Sequence, residues 1–420
     1  MKLLCLSNGH GEDSIAVRIL EELRKLPNAP EIAALPLVGE GYAYTKADIP
    51  IIGPVKKMPS GGFIYMDGRQ LWKDVRGGLL GLTCAQYRLV RRWHKRGGSV
   101  LAVGDIVPLL FAWLSGANYA FVGTAKSEYY LRDESGWLSR SHGWESWSGS
   151  VYLPWERWLM GRDRCKVIFP RDRLTTSVLK QFSLPAFALG NPMMDGILPD
   201  PPAPIFYEKD AEEQEKARPF KVLLLPGSRA PEAYNNWALI LQAVANIQQE
   251  FPGRSLLFLA AIAPSLDLDE FQKGLTGWEE ENSLPEDAPI NDLSALVFRR
   301  DRAQLVLTQN AYNACLLSAD FAIAMAGTAT EQFVGLGKPV ITFPGEGPQF
   351  NYQFAEAQTR LLGNSVILVK KPEETAKTIQ GVLAKPDRLQ LIAQNGVKRM
   401  GKPGAAARIA KCLLERINDQ

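Results

Sequence analysis

Two short stretches carry residue types suited to holding a phosphate. In KVLLLPGSR, residues 221–229, an apolar run ends in Pro226, Gly227, Ser228 and Arg229. One turn thereby offers a close-approach glycine, a hydroxyl and a guanidinium, and serine, main-chain amides and an arginine fork are natural donors to phosphate oxygens. About 95 residues further on, FAIAMAGTATEQFVGLGKPVITFPG (321–345) reads as a strand, a turn at Gly327 and a helix opening with Thr328, Ala329 and Thr330. Small residues there let a diphosphate approach the helix N-terminus, where the dipole contributes roughly 0.3–1 kcal/mol when exposed and up to about 2 kcal/mol when partly buried. Glu331, one turn in, is placed to accept hydrogen bonds from a ribose. Either turn alone is a common strand-to-helix connection; two in one half of the chain, in this order, favour a nucleotide diphosphate. A third turn, NGHGED at residues 8–13, puts Asn8, Gly9, His10, Gly11 and Glu12 after only seven residues of chain. Its glycines leave amides aimed beyond the end of the first apolar run. The spacing matches neither GxGxxG nor a P-loop, and a tight turn with a surface histidine explains it equally well.

The elements that must position these residues follow from alternation. Apolar runs KLLCLS, SVLAVG, ANYAFVG, CKVIFP, AFALG, KVLLLPGS, SLLFLAAI, LVLTQ, FAIAMAG, KPVITFPG and SVILV are short and end at Gly, Pro or a polar turn. Between most of them lie helical patterns, such as WALILQAVANIQQEF and SIAVRILEELRKL, the latter with Ile15, Ile19, Leu20, Leu23 and Leu26 on one face. Strand, turn and helix in repetition predict an α/β protein with parallel sheets covered on both faces. PDPPAPIFYEKDAEEQEKARP, around 199–219, breaks the rhythm with prolines and then charge, and sets the boundary between a domain 1–198 and a domain 220–400. No internal repeat is visible.

Composition narrows the classes. A chain of 420 residues, 46% of them hydrophobic, can bury two cores. Five cysteines (Cys5, Cys84, Cys165, Cys315 and Cys412) are scattered, with no CxxC pair, so neither a disulfide framework nor a zinc site is expected. No run approaches a membrane span, and MKLLCLS is too short for a signal peptide, so a cytoplasmic protein is expected. Residues 1–200 hold 25 basic and 19 acidic side chains, against 23 and 26 in 201–420, and eight of the ten tryptophans. Arginine mixed with tryptophan suits a membrane interface, although such rings also serve as core.

LLLPGSRAPE followed by AGTATEQFVGLGKPV resembles the donor half of lipid-A-disaccharide synthase. PLVGEGY (36–42), FPRDRLTTSVLKQFSLPAFALGNPMMDGI (169–197) and NGHGEDSIA extend the resemblance over most of the chain, strongest from 221 to 345. A more distant resemblance is to the family that adds N-acetylglucosamine to lipid-linked muropeptide. Both imply a GT-B fold: two Rossmann-like domains with a cleft between them, the nucleotide sugar on the C-terminal one, the acceptor on the N-terminal one, and a last helix, 401–420, that crosses back. His10, Gly11, Asn191 and the whole of 124–165 depart from the family pattern, all on the acceptor side.

The resemblance implies an inverting glycosyltransferase that moves a sugar, N-acetylglucosamine from its UDP donor, to a lipid or lipid-linked acceptor. Ser228, Arg229, Gly327 and Thr328 would stabilise the departing diphosphate, and no metal or further cofactor is expected. Two residues compete as general base: Asp105 in VLAVGDIVPLL, favoured by the resemblance, and His10, whose ordinary pKa suits the task. Asp105 also fits a helix N-cap. Glu346, Gln349, Asn351 and Gln353 reach a strand end where carboxamides would read sugar hydroxyls, or where a polar turn would cap the next helix. Asn8, Gly9, Gly11 and Glu12 fall on the acceptor side. Arg88, Arg91, Arg92, Lys95 and Arg96, with the tryptophans of 137–158, imply attachment to the inner face of the membrane and no nucleic acid. Two alternatives remain. A UDP-sugar 2-epimerase shares the fold but calls for more acids and histidines near the sugar than three histidines suggest; a non-catalytic nucleotide-sugar or lipid binder is the other.

Overall fold

The computed structural model describes residues 1–55, 79–139, 146–197, 218–288 and 290–417. The expected linker at 199–219 therefore lies almost wholly outside the described residues, as do Trp72, Trp144 and 71–78 of the basic segment. The chain divides into two compact units, Met1–Asp195 with Lys402–Gln420, and Gly196–Gly401.

In the first unit β1 (Lys2–Ser7), α1 (His10–Arg24), β2 (Glu31–Pro36) and α2 (Tyr42–Lys46) come first. They are followed by α3 (Leu79–Lys95), β3 (Gly98–Gly104), α4 (Ile106–Ser115) and β4 (Tyr119–Gly123). A two-residue hairpin, β5 (Arg132–Asp133) and β6 (Gly136–Trp137), precedes α5 (Pro154–Met160), β7 (Cys165–Pro170) and α6 (Arg173–Gln181). The sheet order is β2-β1-β3-β4-β7, all parallel, and β1, β3 and β4 are buried along nearly their whole length, as strands covered on both faces require. AFALG, expected as a strand, makes only a single bridge between Ile168 and Ala186.

The second unit runs β8 (Phe220–Leu225), α7 (Glu232–Glu250), β9 (Leu256–Ala261), α8 (Leu268–Gln272), β10 (Glu279–Glu281), β11 (Leu296–Arg300) and β12 (Ala303–Thr308). Then come α9 (Tyr312–Ser318), β13 (Phe321–Ala324), α10 (Thr328–Gly335), β14 (Val340–Thr342), α11 (Tyr352–Leu362), β15 (Val366–Leu368), α12 (Thr375–Leu383) and α13 (Pro386–Met400). Its sheet order is β10-β11-β12-β9-β8-β13-β14-β15. The six strands from β12 to β15 are parallel and follow the 3-2-1-4-5-6 order of a doubly wound sheet. Against the all-parallel expectation, β10 and β11 add an antiparallel edge. The charged β11 was not evident as a strand, since LVFRR looks like surface chain; it lies just inside the edge strand β10, and its Arg299 pairs with Glu281 of β10.

The last helix, α14 (Ala405–Arg416), belongs to the first unit, where it packs on α1. Asp195 caps it: Oδ1 accepts from the Gly404 and Ala405 amides at 2.6 and 3.2 Å, and Oδ2 from Ala406 N at 2.6 Å. Each unit buries its own apolar cluster, centred on Leu4, Val100 and Phe121 in one and on Leu224, Phe258 and Ile323 in the other.

Candidate functional site

A doubly wound sheet gathers its ligand-binding loops at the carboxyl ends of its strands, where the strand order reverses. In the second unit the reversal lies between β8 and β13, whose following turns are Pro226–Arg229 and Met325–Gly327. Gly227 has φ +105°, and a Cβ there would stand 3.2 Å from Met325 O, so the two turns touch and only glycine fits the contact. Buried Asn236 on α7 donates to Pro226 O at 3.0 Å and holds the first turn. Ser228 and Arg229 are exposed beyond it. Gly327 opens α10 with no side chain capping the helix; Thr328 is exposed, and Ala329 and Glu331 are half-buried. Thr330, expected among the ligand-binding residues, is fully buried, and its hydroxyl donates to Ala326 O at 2.6 Å. It shapes the turn from beneath.

A third loop, 343–351, lies beside them: a Cβ on Gly345 would stand 2.9 Å from both Asn236 Oδ1 and Met325 Cε. Glu232 on α7 is 8% exposed, and its Oε1 accepts from Phe350 N at 2.6 Å and Gln349 N at 3.2 Å. A Cβ on Gly347 would sit 2.2 Å from that oxygen. Gln349 and Gln353 are exposed, but Asn351 is the N-cap of α11, its Oδ1 accepting from Phe354 N at 3.0 Å, which is the capping alternative raised by the sequence. Glu232, Asn236 and Gln358 were not singled out from sequence. Glu232 left a signal, an acid in the first turn of a helix after Pro231; the other two left none, because their partners are carbonyl oxygens.

In the first unit the reversal lies between β1 and β3. Asn8 Nδ2 donates to Asp105 Oδ1 at 2.8 Å, and the same oxygen caps α4 by accepting from Val107 N at 2.8 Å. Asp105 is thus an N-cap with one oxygen doubly engaged. Gly104 has φ +136°, and a Cβ on it would lie 2.3 Å from Asn8 Oδ1. The helix begins at His10, four residues earlier than the pattern suggested, so His10, Gly11 and Glu12 form its first turn. The reason is Glu12, whose carboxyl folds back over Gly9, leaving only 2.6 Å for a Cβ there, while acids in a first turn favour the helix. His10 and Gly11 are exposed.

Behind this turn stands a buried polar chain. Asp13 accepts from Ser7 Oγ at 2.6 Å, and Ser7 shares a 2.6 Å hydrogen bond with fully buried Tyr44. Burial raises the Asp13 carboxyl from 3.8 to about 7, Ser7 opposing and Glu12 adding to the shift. Burial first, and then the charge of Asp105, raises Glu12. Burial also pushes the Cys5 thiol, beside Tyr44, up to about 12. Two adjacent carboxyls are therefore biased towards keeping their protons, a state suited to general acid work.

The 124–165 segment is firmly built among its described residues. Glu128 is fully buried, accepts from Ser150 Oγ at 2.5 Å and Val151 N at 2.9 Å, and pairs with Arg132 at 2.9 Å. The scaffold presents Trp147, Trp155 and Trp158, 54%, 51% and 47% exposed, too much for core rings. Arg162 lies 4.3 Å from the Trp158 ring centroid. Arg88, Arg91, Arg92, Lys95 and Arg96 are exposed on and just after α3. No helix among the described residues is long and apolar enough to cross a membrane.

Together the two doubly wound units define a GT-B-like α/β fold. No protein-family model matches the chain, and no curated protein does. Solved structures do. S. aureus MnaA in its UDP co-structure matches with a TM-score of 0.56 at 14% identity, over 100% of this chain and 99% of that one. The UDP-GlcNAc 2-epimerase of Neisseria meningitidis, bound to UDP-GlcNAc, matches at 0.55 and 13%, over 99% and 100%. Acinetobacter baumannii MurG matches at 0.55 and 12%, over 99% of each chain. At such identities the likeness is one of fold.

Proposed function

We propose that this protein is an enzyme that acts on a UDP-linked amino sugar, UDP-N-acetylglucosamine first among candidates, and inverts its C2 centre. The observation that carries the nucleotide-sugar reading is the pair of touching turns, Pro226–Arg229 and Met325–Gly327, at the reversal of the second sheet. Ser228, Arg229 and the amides opening α10 would take the charge that builds on the diphosphate as the C1–O bond breaks. Loss of the C2 proton as the diphosphate leaves gives a C1–C2 double bond, and return of a proton to the other face of C2 while the diphosphate oxygen re-forms the C1–O bond completes the inversion. The small number of histidines is no bar to this chemistry, because a carboxyl group can also serve as acid or base in such proton transfers. The epimerase among the matched structures supports this choice of reaction.

A second reading, transfer of the sugar to a lipid or lipid-linked acceptor at a membrane surface, shares the bond-breaking step. It is favoured by the exposed Trp147, Trp155 and Trp158 with Arg162, by the resemblance of 221–345 to lipid-A-disaccharide synthase, and by the fold likeness to MurG. One experiment separates the two. Incubated with UDP-N-acetylglucosamine in deuterium oxide and followed by proton NMR, the protein should form the C2 epimer with deuterium at C2. UDP release only when a lipid acceptor is added, with flotation on anionic vesicles, would replace epimerisation by transfer. Neither product, with no binding of UDP, would refute both.

A further inference from the structure

Gln358 lies on α11, seven residues after the cap Asn351, and is 4% exposed. Its Nε2 donates to Ala326 O at 2.9 Å and reaches Gly327 O at 3.5 Å. Ala326 O also accepts from Thr330 Oγ1 at 2.6 Å, so both lone pairs of that carbonyl are engaged and the Ala326–Gly327 peptide plane is held from two sides. In a trans peptide the C=O and N–H point in opposite directions. With the carbonyl drawn inward to Gln358 and Thr330, the Gly327 N–H is turned outward, and it donates to no group among the described residues. It heads the series of amides that opens α10.

The other end of the carboxamide sharpens the point. Gln358 Oε1 is buried and has no hydrogen-bond partner among the described residues. The reverse orientation would set that oxygen against two carbonyls, so the amide nitrogen is fixed towards the turn. An unsatisfied buried acceptor costs free energy, which an apolar side chain of similar shape would avoid. Stability alone therefore does not account for a glutamine here.

We propose that Gln358 is a positioning residue for diphosphate recognition: it holds the Ala326–Gly327 peptide so that the Gly327 N–H is presented to a phosphate oxygen. The proposal rests on the reading of this turn as the diphosphate site. The test compares wild type with Gln358→Leu, and with Thr330→Val as a second variant that removes the other donor. Calorimetric titration with UDP should show a loss of roughly 10- to 100-fold in either variant, while uridine, which lacks the diphosphate, binds within about twofold of wild type. Parallel weakening towards both ligands, or unchanged UDP affinity, would overturn it. Should wild type bind neither ligand, the diphosphate reading fails on its own. The positioning claim is then read from the Gly327 amide order parameter in the unliganded protein, expected near 0.85 in wild type and falling towards about 0.6 in Gln358→Leu; an unchanged value would sink it.

Discussion

Asp13→Asn should make the protein's stability less sensitive to pH between 4 and 8. The Asp13 carboxyl is 3% exposed, hydrogen-bonded to Ser7 and next to Glu12, and burial lifts it from 3.8 to about 7. Its folded pKa is raised, so the folded state holds a proton that the unfolded state has lost between those two values. The stabilisation is fully present below about 3.8 and is lost as pH rises through about 7. At 1.36 kcal/mol per pH unit the interval is worth roughly 4 kcal/mol as a ceiling. For a unit of this size that is about 8 to 16 °C in melting temperature. Asparagine keeps an oxygen for Ser7 and cannot ionise; the cost of its new amide group is independent of pH. The assay is the difference in melting temperature between variant and wild type at pH 4, 5, 6, 7 and 8 in one buffer series. The variant should gain on wild type steadily up to about pH 7 and then level off. A difference that stays flat from pH 4 to 8 would refute the argument that Asp13 is protonated when folded.

Gly104→Ala places a Cβ against Asn8 Oδ1 at a φ of +136° and should destabilise by roughly 2–4 kcal/mol, whereas Gly11→Ala, which meets nothing within 4 Å on the exposed first turn of α1, should stabilise by up to about 1 kcal/mol; thermal melts check both. Lys338 donates to Leu316 O, Leu317 O and Ala319 O at 3.0, 2.6 and 2.7 Å at the end of α9, and burial lowers it from 10.5 to about 8. Between those values the unfolded chain holds a proton that the folded one has lost, so wild type should gain stability over Lys338→Met as pH rises from 8 to 10.5, with no change in the difference from 6 to 7.

Much of the second unit is legible in the sequence because its signals are local. PGSR and GTATE each sit at the end of an apolar run, and both ends fall at the reversal of the sheet. What stayed hidden depends on contacts between distant segments. The Asp13 chain needs Ser7 and Tyr44, and nothing in the spacing of Tyr44 says that it returns beneath β1. Asp105 and Asn351 belong to residue types that serve equally as caps and as catalytic or binding groups, and in the structure each caps a helix. Gln358 acts through carbonyl oxygens, which every residue possesses. The start of α1 was misplaced because two glycines look like a turn until Glu12 folds back over Gly9.

On the proposed reading, the second unit grips a diphosphate with the turns at Gly227 and Gly327. A crystal structure with UDP bound decides the matter. The diphosphate is expected within hydrogen-bond distance of the Gly327 and Thr328 amides and of Ser228 or Arg229. UDP elsewhere on the protein, or those turns closed against it, would contradict it.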